Sequence, residues 1–129
     1  MKTRILLVED NTTTMEVMQQ ELEVLDYDVA IAREGEEAVE MASSELPDLI
    51  IMDILMPKMD GNEAASRIRK DPKTQAIPIL AATAKALPED REKCLASGCD
   101  EYIAKPFSYR ELDAAIKKLL NRHSRDHKN

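Results

Sequence analysis

Cysteine and long apolar runs are scarce in this chain of 129 residues, and its 18 lysines and arginines are outnumbered by 25 acidic residues. Its 2 cysteines, Cys94 and Cys99, are too few for a disulfide framework and lack the neighbouring ligands of a zinc site. We therefore expect both to be reduced thiols, Cys94 on a helix and Cys99 in the turn after it. The apolar runs have the length of strands, well below the roughly 18 residues that a membrane-spanning helix needs.

The net charge is -7 at pH 7, which argues against direct nucleic-acid binding because such surfaces are built around basic residues. Basic residues do gather near the C-terminus, where we expect a solvated last helical turn and a polar tail over 121–129. His123 and His127 have the spacing of one helix face, but no nearby acidic or cysteine partner supports a metal site. The first apolar run stops at Glu9 and Asp10, unlike a secretory leader, so a cytoplasmic protein without membrane contact is expected.

Length and composition predict one domain over 1–129, with a core of about 4–120. Apolar residues make up 43% of the chain and charged residues 33%, as in soluble globular proteins. Met1 and the polar C-terminal residues favour a complete chain, although a piece of a longer protein would have the same pattern.

The segment from Leu49 to Gly61, LIIMDILMPKMDG, is the one around which the rest is organised. Its apolar run is bounded by turn signals, which predicts a strand buried on both faces of a parallel sheet. Asp53 stands at the carboxyl end of that strand, where open α/β sheets bind their ligands. Burying a carboxylate is costly unless a cation, a hydrogen-bond donor or chemistry requires it. Asp53 is therefore the first candidate functional residue.

Five strand–helix pairs alternate along the chain. The predicted strands are Ile5–Val8, Tyr27–Ala32, Leu49–Met52, Ile77–Ala82 and Tyr102–Ala104. Capping boxes are predicted for the first helix at Thr13 and Glu16 and for the last helix at Ser108 and Glu111. Gly98 is expected to end the fourth helix. Strict alternation predicts an α/β fold, a doubly wound parallel sheet with helices on both faces.

Polar residues follow four of these strands, namely Glu9 and Asp10, Asp53, Thr83, and Lys105. Because the carboxyl ends of parallel strands share one edge of the sheet, we expect these side chains to converge. Carboxylates without cysteine or histidine favour a hard cation, so Mg²⁺ is the expected metal, and Mn²⁺ would also fit. A lysine and a hydroxyl beside it suit phosphoryl oxygens, and an Asp can itself become an aspartyl-phosphate.

These motifs together resemble the receiver domain of bacterial two-component response regulators. The resemblance rests on Glu9-Asp10, Asp53 within MDILMPKMDG, Thr83-Ala84 and Lys105-Pro106, and it extends from about Arg4 to Leu120. It implies a flavodoxin-like, CheY-like (βα)5 fold with a five-stranded parallel sheet in the order 2-1-3-4-5, the order already described for the chemotaxis receiver.

The resemblance also implies a phosphoacceptor and its metal ligands. Asp53 would accept a phosphoryl group from a phosphohistidine on a histidine kinase or a histidine phosphotransfer protein. Mg²⁺ would be bound by Asp10, Asp53 and the main-chain carbonyl of Leu55, with Glu9 acting through water.

Further residues would bind the phosphoryl group and respond to it. Lys105, the Thr83 hydroxyl and the Ala84 N–H would hold phosphoryl oxygens, and the Lys105-Pro106 peptide would be cis. Tyr102 would turn inward as Thr83 moves, and the face formed by the fourth helix, the fifth strand and the fifth helix would signal to a protein partner.

Each residue also has a simpler structural interpretation. Asp53 could be a turn residue, Asp10 a helix cap, Glu9 a solvated charge, Thr83 a strand-end hydroxyl and Lys105 a surface lysine; Tyr102 could be a half-buried aromatic with its hydroxyl in water.

Two other functions remain as alternatives to a phosphorylation-controlled signalling module that is not a turnover enzyme. The first is a scaffold of the same fold that does not switch. The second is an aspartyl-phosphate phosphatase, a class that usually carries a second Asp where this chain has Leu55.

Overall fold

The computed structural model describes residues 2–56, 58–84 and 87–126, with side chains described up to residue 122. The strands in these segments are β1 (Arg4–Val8), β2 (Asp28–Ala32), β3 (Leu49–Asp53), β4 (Ile79–Thr83) and β5 (Glu101–Ala104). The helices are α1 (Thr12–Val24), α2 (Gly35–Glu45), α3 (Gly61–Lys70), α4 (Pro88–Ser97) and α5 (Tyr109–Asp126). The predicted strand boundaries agree with these to within one or two residues.

The strands form one parallel sheet in the order β2-β1-β3-β4-β5. The predicted flavodoxin-like order is thereby confirmed. β3 lies at the centre between β1 and β4, and every residue of it is buried. This position explains why the LIIMD segment is apolar up to its last residue: a strand covered by helices on both faces has no solvent side for polar residues.

The core has two layers, one on each face of the sheet. Alternate residues such as Leu6 and Ile50 pack with α2, α3 and α4, whereas their neighbours Leu7 and Ile51 pack with α1 and α5. This alternation follows from the two-residue period of a strand. None of the helices in the described part of the chain combines the length and hydropathy of a transmembrane span.

One predicted helix cap is confirmed and the other is wrong. Ser108 and Glu111 form the predicted capping box, because the Glu111 N–H donates to Ser108 Oγ (3.1 Å) and the Ser108 N–H donates to Glu111 Oε1 (3.0 Å). α1 instead begins at Thr12, and Asn11 caps it by accepting a bond from the Thr14 N–H (2.9 Å). Asn is at least as good an N-cap as Thr, so the helix starts earlier than the Thr13–Glu16 box predicts.

The C-terminal segment and the cysteines complete the comparison. α5 continues to Asp126, so the residues just beyond 120, predicted as a polar tail, are helical. Residue 127, the His127 of the predicted pair, and the side chain of His123 lie outside the described residues. Cys94 and Cys99 are free and buried, as predicted, and burial raises the pKa of the Cys99 thiol to about 12.

Candidate functional site

The strand register brings the predicted acids to one edge of the sheet. Val8 pairs with Met52, so Glu9 and Asp10 emerge from β1 beside Asp53 at the end of β3. Carboxylate oxygens of these three acids lie within 4.8 Å of one another. Glu9 is 2% exposed and Asp53 5%, so two of the three charges have little contact with water. The predicted convergence is therefore present.

Lys105 also reaches this cluster, from the far side of β4. Its Nζ lies 2.8 Å from Glu9 Oε1 and 3.7 Å from Asp53 Oδ1. The Lys105 N–H donates to the carbonyl of Thr83 (2.8 Å), which holds the end of β5 against the end of β4. The next peptide, Lys105-Pro106, is cis as predicted. Lys105 is thus an interior cation of the site, not a surface lysine.

Backbone donors hold two of the carboxylates in place. The Leu55 N–H donates to Asp53 Oδ1 (3.3 Å), and the Asn11 N–H donates to Glu9 Oε2 (3.2 Å). The Leu55 side chain is 45% exposed and takes no part in this contact. Asn11 is a positioning residue that the sequence patterns did not single out, although an Asn at the start of a helix is a recognisable cap signal.

Burial, and to a smaller extent the neighbouring Glu9, determine the charge state of Asp53. Burial raises its pKa from the ordinary 3.8 to about 7, with a further increase from the negative charge of Glu9. Lys105 and the Leu55 N–H lower the pKa of Asp53, but by less than burial and Glu9 raise it. Asp53 is therefore partly protonated at neutral pH when no additional cation is present.

The donor chemistry of the cluster fits a divalent cation. All three side chains offer oxygen ligands, and burial together with the charge of Glu9 raises the pKa of Asp53, so an added cation would be stabilised there. Oxygen ligands of this kind suit Mg²⁺, and Mn²⁺ stays a prediction. The roles of Glu9 through water and of the Leu55 carbonyl as a ligand stay predictions.

Thr83 ends β4 next to this cluster, and Ala84 follows it. Thr83 is 1% exposed, whereas Ala84 is exposed. Thr83 lines a cavity of about 350 Å³ that lies between the start of α3, α4 and the loop after β3. The residues lining it are Ile54, Leu55, Met56, Asp60, Asn62, Thr83, Asp90, Lys93 and Cys94. The sequence patterns did not predict this cavity, since its polar residues come from the start of α3, the end of β4 and α4, which are distant in the chain.

Tyr102 lies on the face of the sheet that packs against α4. It pairs with Ala81 in the β4–β5 register and contacts the core layer that contains Ala81 and Cys94. Thr83, two residues after Ala81, follows that strand's alternation on the same face. The Tyr102 hydroxyl is buried with no hydrogen-bond partner among the described residues, so the alternative in which it reaches water is wrong.

Gly61 keeps the loop after Asp53 close to the sheet. A Cβ added there would lie 2.5 Å from the main-chain oxygen of Asp53 and 2.8 Å from the Cα of Ile54. Both are backbone atoms, which cannot move aside as the end of a side chain can. The Asp60-Gly61 pair, predicted as a turn, therefore allows α3 to begin in direct contact with the strand that carries Asp53.

The chain matches known proteins along nearly its whole length. The family model described as response regulator receiver domain matches residues 5–117. The alkaline phosphatase synthesis transcriptional regulatory protein PhoP of Bacillus subtilis is 41% identical over 122 residues, which is 95% of this chain and 50% of that protein. The chain spans about half the length of the curated relatives that it matches.

Solved structures show the same fold at similar levels of identity. The receiver domain of the sensor histidine kinase PA1611 from Pseudomonas aeruginosa PAO1, with a magnesium ion coordinated in its active-site cleft, superposes with a TM-score of 0.88. It is 38% identical, and the match covers 94% of this chain and 99% of that one. A CheY-like receiver domain protein from Methanospirillum hungatei JF-1 gives a TM-score of 0.90 at 30% identity, covering 98% and 99%. The chain belongs to the response regulator receiver domain family of two-component systems.

Proposed function

We propose that Asp53 accepts a phosphoryl group from a phosphohistidine on a histidine kinase or a histidine phosphotransfer protein, in a Mg²⁺-dependent reaction. The observation that supports this most directly is the grouping of Glu9, Asp10, Asp53 and Lys105 at one edge of the sheet. In the transfer, one Asp53 oxygen forms a bond to phosphorus while the bond between phosphorus and the histidine nitrogen breaks.

The residues around Asp53 have complementary tasks in this reaction. Asp10, Asp53 and the Leu55 main-chain carbonyl would hold Mg²⁺, with Glu9 acting through water. The bound ion would supply positive charge that offsets the negative charge of the acids and of the incoming phosphoryl oxygens. The same charge would keep Asp53 ionised, and only the ionised carboxylate is a nucleophile.

Three groups would hold the phosphoryl oxygens once transfer has occurred. Lys105 Nζ is already 3.7 Å from Asp53 Oδ1, so a small movement would bring it to an oxygen on that side chain. The Thr83 hydroxyl and the Ala84 N–H would bind further oxygens, and the small, exposed side chain of Ala84 leaves room for them. Displacement of Thr83 towards the phosphoryl group would then shift the population towards a second conformation.

A protein partner would bind the second conformation on the face formed by α4, β5 and α5. Glu101 on β5 connects these elements in the present conformation, through ion pairs to Arg91 on α4 (3.8 Å) and to Lys118 (3.0 Å) and Arg122 (3.6 Å) on α5. The net charge of -7 supports a protein partner over direct contact with nucleic acid. A cytoplasmic location and the absence of membrane contact stay predictions.

Acetyl phosphate with Mg²⁺, followed by intact-mass measurement, tests this function. We expect one phosphoryl adduct on the wild-type chain, none on Asp53→Asn, and none when EDTA removes the metal. An adduct on Asp53→Asn would contradict the assignment of the acceptor. A wild-type chain that binds neither Mg²⁺ nor phosphoryl would indicate the scaffold, and continuous release of phosphate over many turnovers would indicate a phosphatase.

A further inference from the structure

Three buried polar atoms in the described part of the chain have no hydrogen-bond partner: Asn62 Oδ1, Asp90 Oδ2 and the Tyr102 hydroxyl. Each such atom costs free energy, because it has given up water without gaining a protein partner. Asn62 and Asp90 line the cavity beside Thr83, and Tyr102 packs on the core layer to which Cys94, another lining residue, belongs. Two of the three unsatisfied atoms therefore lie at one cavity, and the third belongs to a residue packed on the adjoining core layer.

Two of the three atoms are chemically complementary. The Tyr102 phenol has a hydrogen to donate, whereas an ionised Asp90 can only accept. α4, which carries Asp90 in its first turn, packs against β5, which carries Tyr102. Burial raises the pKa of the Tyr102 phenol, and nearby Cys94 and Asp90 raise it further, which places the Asp90 carboxylate within electrostatic reach of the phenol.

We propose that Asp90 is the acceptor for the Tyr102 hydroxyl in the phosphorylated conformation, and that this bond fixes α4 against β5. The inference depends on the proposed function, because phosphorylation of Asp53 is what would move Thr83. Asp90 is a positioning residue in this role: it contacts neither the phosphoryl group nor the metal. In the present conformation donor and acceptor are both buried and have no partner among the described residues, and the rearrangement satisfies them together.

Asn62 is the other unpaired acceptor at the cavity, and the structure favours Asp90 over it. A hydrogen bond to an ionised carboxylate is stronger than one to a neutral amide oxygen. Asn62 also lies on α3, whereas Asp90 lies on the helix that covers β5. Neither Asn62 Oδ1 nor Asp90 Oδ2 is accessible at the protein surface, so charge and position are what distinguish the two acceptors.

The position of Thr83 explains how Asp53 could control this bond. Thr83 lines the cavity together with Asp90, and it follows the face of β4 on which Tyr102 packs. Movement of the Thr83 side chain towards Asp53 would enlarge the cavity on the side nearest β5. Tyr102 could then enter far enough for its hydroxyl to reach the Asp90 carboxylate.

A double-mutant cycle tests the bond in the intact protein, with beryllofluoride and Mg²⁺ as a stable mimic of the phosphoryl group. The four proteins are the wild type, Asp90→Asn, Tyr102→Phe and the double variant, and thermal unfolding confirms that each is folded. Asp90→Asn should weaken beryllofluoride binding by about tenfold when Tyr102 is present, because a neutral amide oxygen is a weaker acceptor than an ionised carboxylate. It should change binding less than about twofold in the Tyr102→Phe background, because the donor is then absent.

The outcomes separate this inference from the proposed function. If the wild type binds beryllofluoride but the effects of Asp90→Asn and Tyr102→Phe are simply additive, the role of Asp90 is wrong and the function of Asp53 stands. If the wild type binds none, the proposed function itself fails. A cycle in which Asn62→Ala, and not Asp90→Asn, couples to Tyr102→Phe would also overturn the assignment.

A second measurement needs no variant at Asp90. The Tyr102 hydroxyl proton should become slow to exchange, and visible by proton NMR, when beryllofluoride and Mg²⁺ are added to the wild type. Its signal is assigned by its loss in Tyr102→Phe. A hydroxyl proton that exchanges equally fast with and without beryllofluoride would contradict the proposal.

Discussion

Lys105 is closer to Glu9 than to Asp53: its Nζ lies 2.8 Å from Glu9 Oε1 and 3.7 Å from Asp53 Oδ1. The Glu9 side chain is only 3% exposed, so it needs a cation or a donor where it lies. In the metal-free protein Lys105 therefore supplies the charge that a divalent ion would bring. A bound ion would release Lys105 from Glu9 and leave it available for an oxygen on Asp53.

Asp53→Asn should stabilise the metal-free protein at high pH. The pKa of Asp53 rises from 3.8 to about 7 on folding, so its protonated form supports the fold. That contribution is present in full below about pH 4 and is lost as the pH rises through about 7. Asn carries no such charge, so in EDTA the free energy of unfolding should exceed that of the wild type by about 2–4 kcal/mol at pH 8.5, with little difference at pH 4.

Urea denaturation across this pH range measures the effect of Asp53→Asn. Asp26→Asn is the control, because the Asp26 side chain is 80% exposed and forms a surface ion pair with Lys2. Its unfolding free energy should follow the wild type within about 0.5 kcal/mol. An Asp53→Asn variant whose advantage does not change between pH 4 and pH 8.5 would show that Asp53 does not titrate as described.

Lys105→Gln should strengthen Mg²⁺ binding at pH 8.5. Lys105 and the metal are cations that compete for the same carboxylates, and removing one lowers the repulsion on the other. Removing Lys105 also raises the pKa of Asp53, because Lys105 lowers it in the wild type, and the high pH is chosen to reduce competition from protons. We expect a decrease in Kd of roughly tenfold, equivalent to about 1.4 kcal/mol, measured by isothermal titration calorimetry.

Lys73→Gln is the matched control for Lys105→Gln. Lys73 is exposed in the turn between α3 and β4, away from the acidic cluster. Its loss should leave the Mg²⁺ affinity within about twofold of the wild type at moderate ionic strength. Equal effects of the two substitutions would mean that net charge, and not the position of Lys105, controls metal binding.

Arg69→Lys should destabilise the fold without affecting the metal site. The Arg69 guanidinium donates to the carbonyls of Gly98 (2.8 Å), Gln75 (3.0 Å) and Ile77 (2.6 Å), and it pairs with Asp100. Lysine cannot match this planar set of donors. The free energy of unfolding should fall by about 2–3 kcal/mol, as measured by urea denaturation.

The control for Arg69→Lys is Arg67→Lys on the same helix. Arg67 forms an exposed ion pair with Glu63 one turn away (3.6 Å). Exposed pairs of this kind contribute less than about 1 kcal/mol to the free energy of unfolding. Stability losses of similar size in the two variants would show that the bonds of Arg69 to the backbone carbonyls have little energetic value.

Gly61→Ala should weaken both the fold and the metal site. The new Cβ would meet the main-chain oxygen of Asp53 at 2.5 Å, so either α3 or the end of β3 must move. We expect a loss of about 1–3 kcal/mol of stability and weaker Mg²⁺ binding, because Asp53 moves with its backbone. Urea denaturation and calorimetry measure the two effects.

Gly98→Ala is the control for Gly61→Ala, because it should strain the backbone without disturbing the metal site. Gly98 has φ 117°, a conformation that alanine rarely adopts, so this substitution should also destabilise the protein, by about 1 kcal/mol or more. It lies at the end of α4, and Mg²⁺ affinity should be unchanged. Equal losses of Mg²⁺ affinity in both glycine variants would mean that general destabilisation explains the result for Gly61.

The sequence by itself determined the strand–helix alternation and the candidate members of the site, because both follow from local patterns, whereas the strand order was implied by the family resemblance. Apolar runs that end in Asp53, Glu9 or Lys105 identify buried parallel strands, and the carboxyl ends of such strands share one edge. The Ser108–Glu111 capping box was predictable for the same reason, since both partners lie within one turn. At the start of α1 two local signals competed, and Asn11 rather than Thr13 became the cap.

Only the tertiary structure decided how these side chains are paired. The preference of Lys105 for Glu9, the rise in the pKa of Asp53 and the burial of the Tyr102 hydroxyl all depend on distances between residues far apart in the chain. Burial strengthens such electrostatic effects, and burial is a property of the packed molecule. The burial of Asp90 Oδ2, which has no partner among the described residues, also depends on tertiary packing. From the sequence alone, an acidic residue in the first turn of a helix is expected to be solvated.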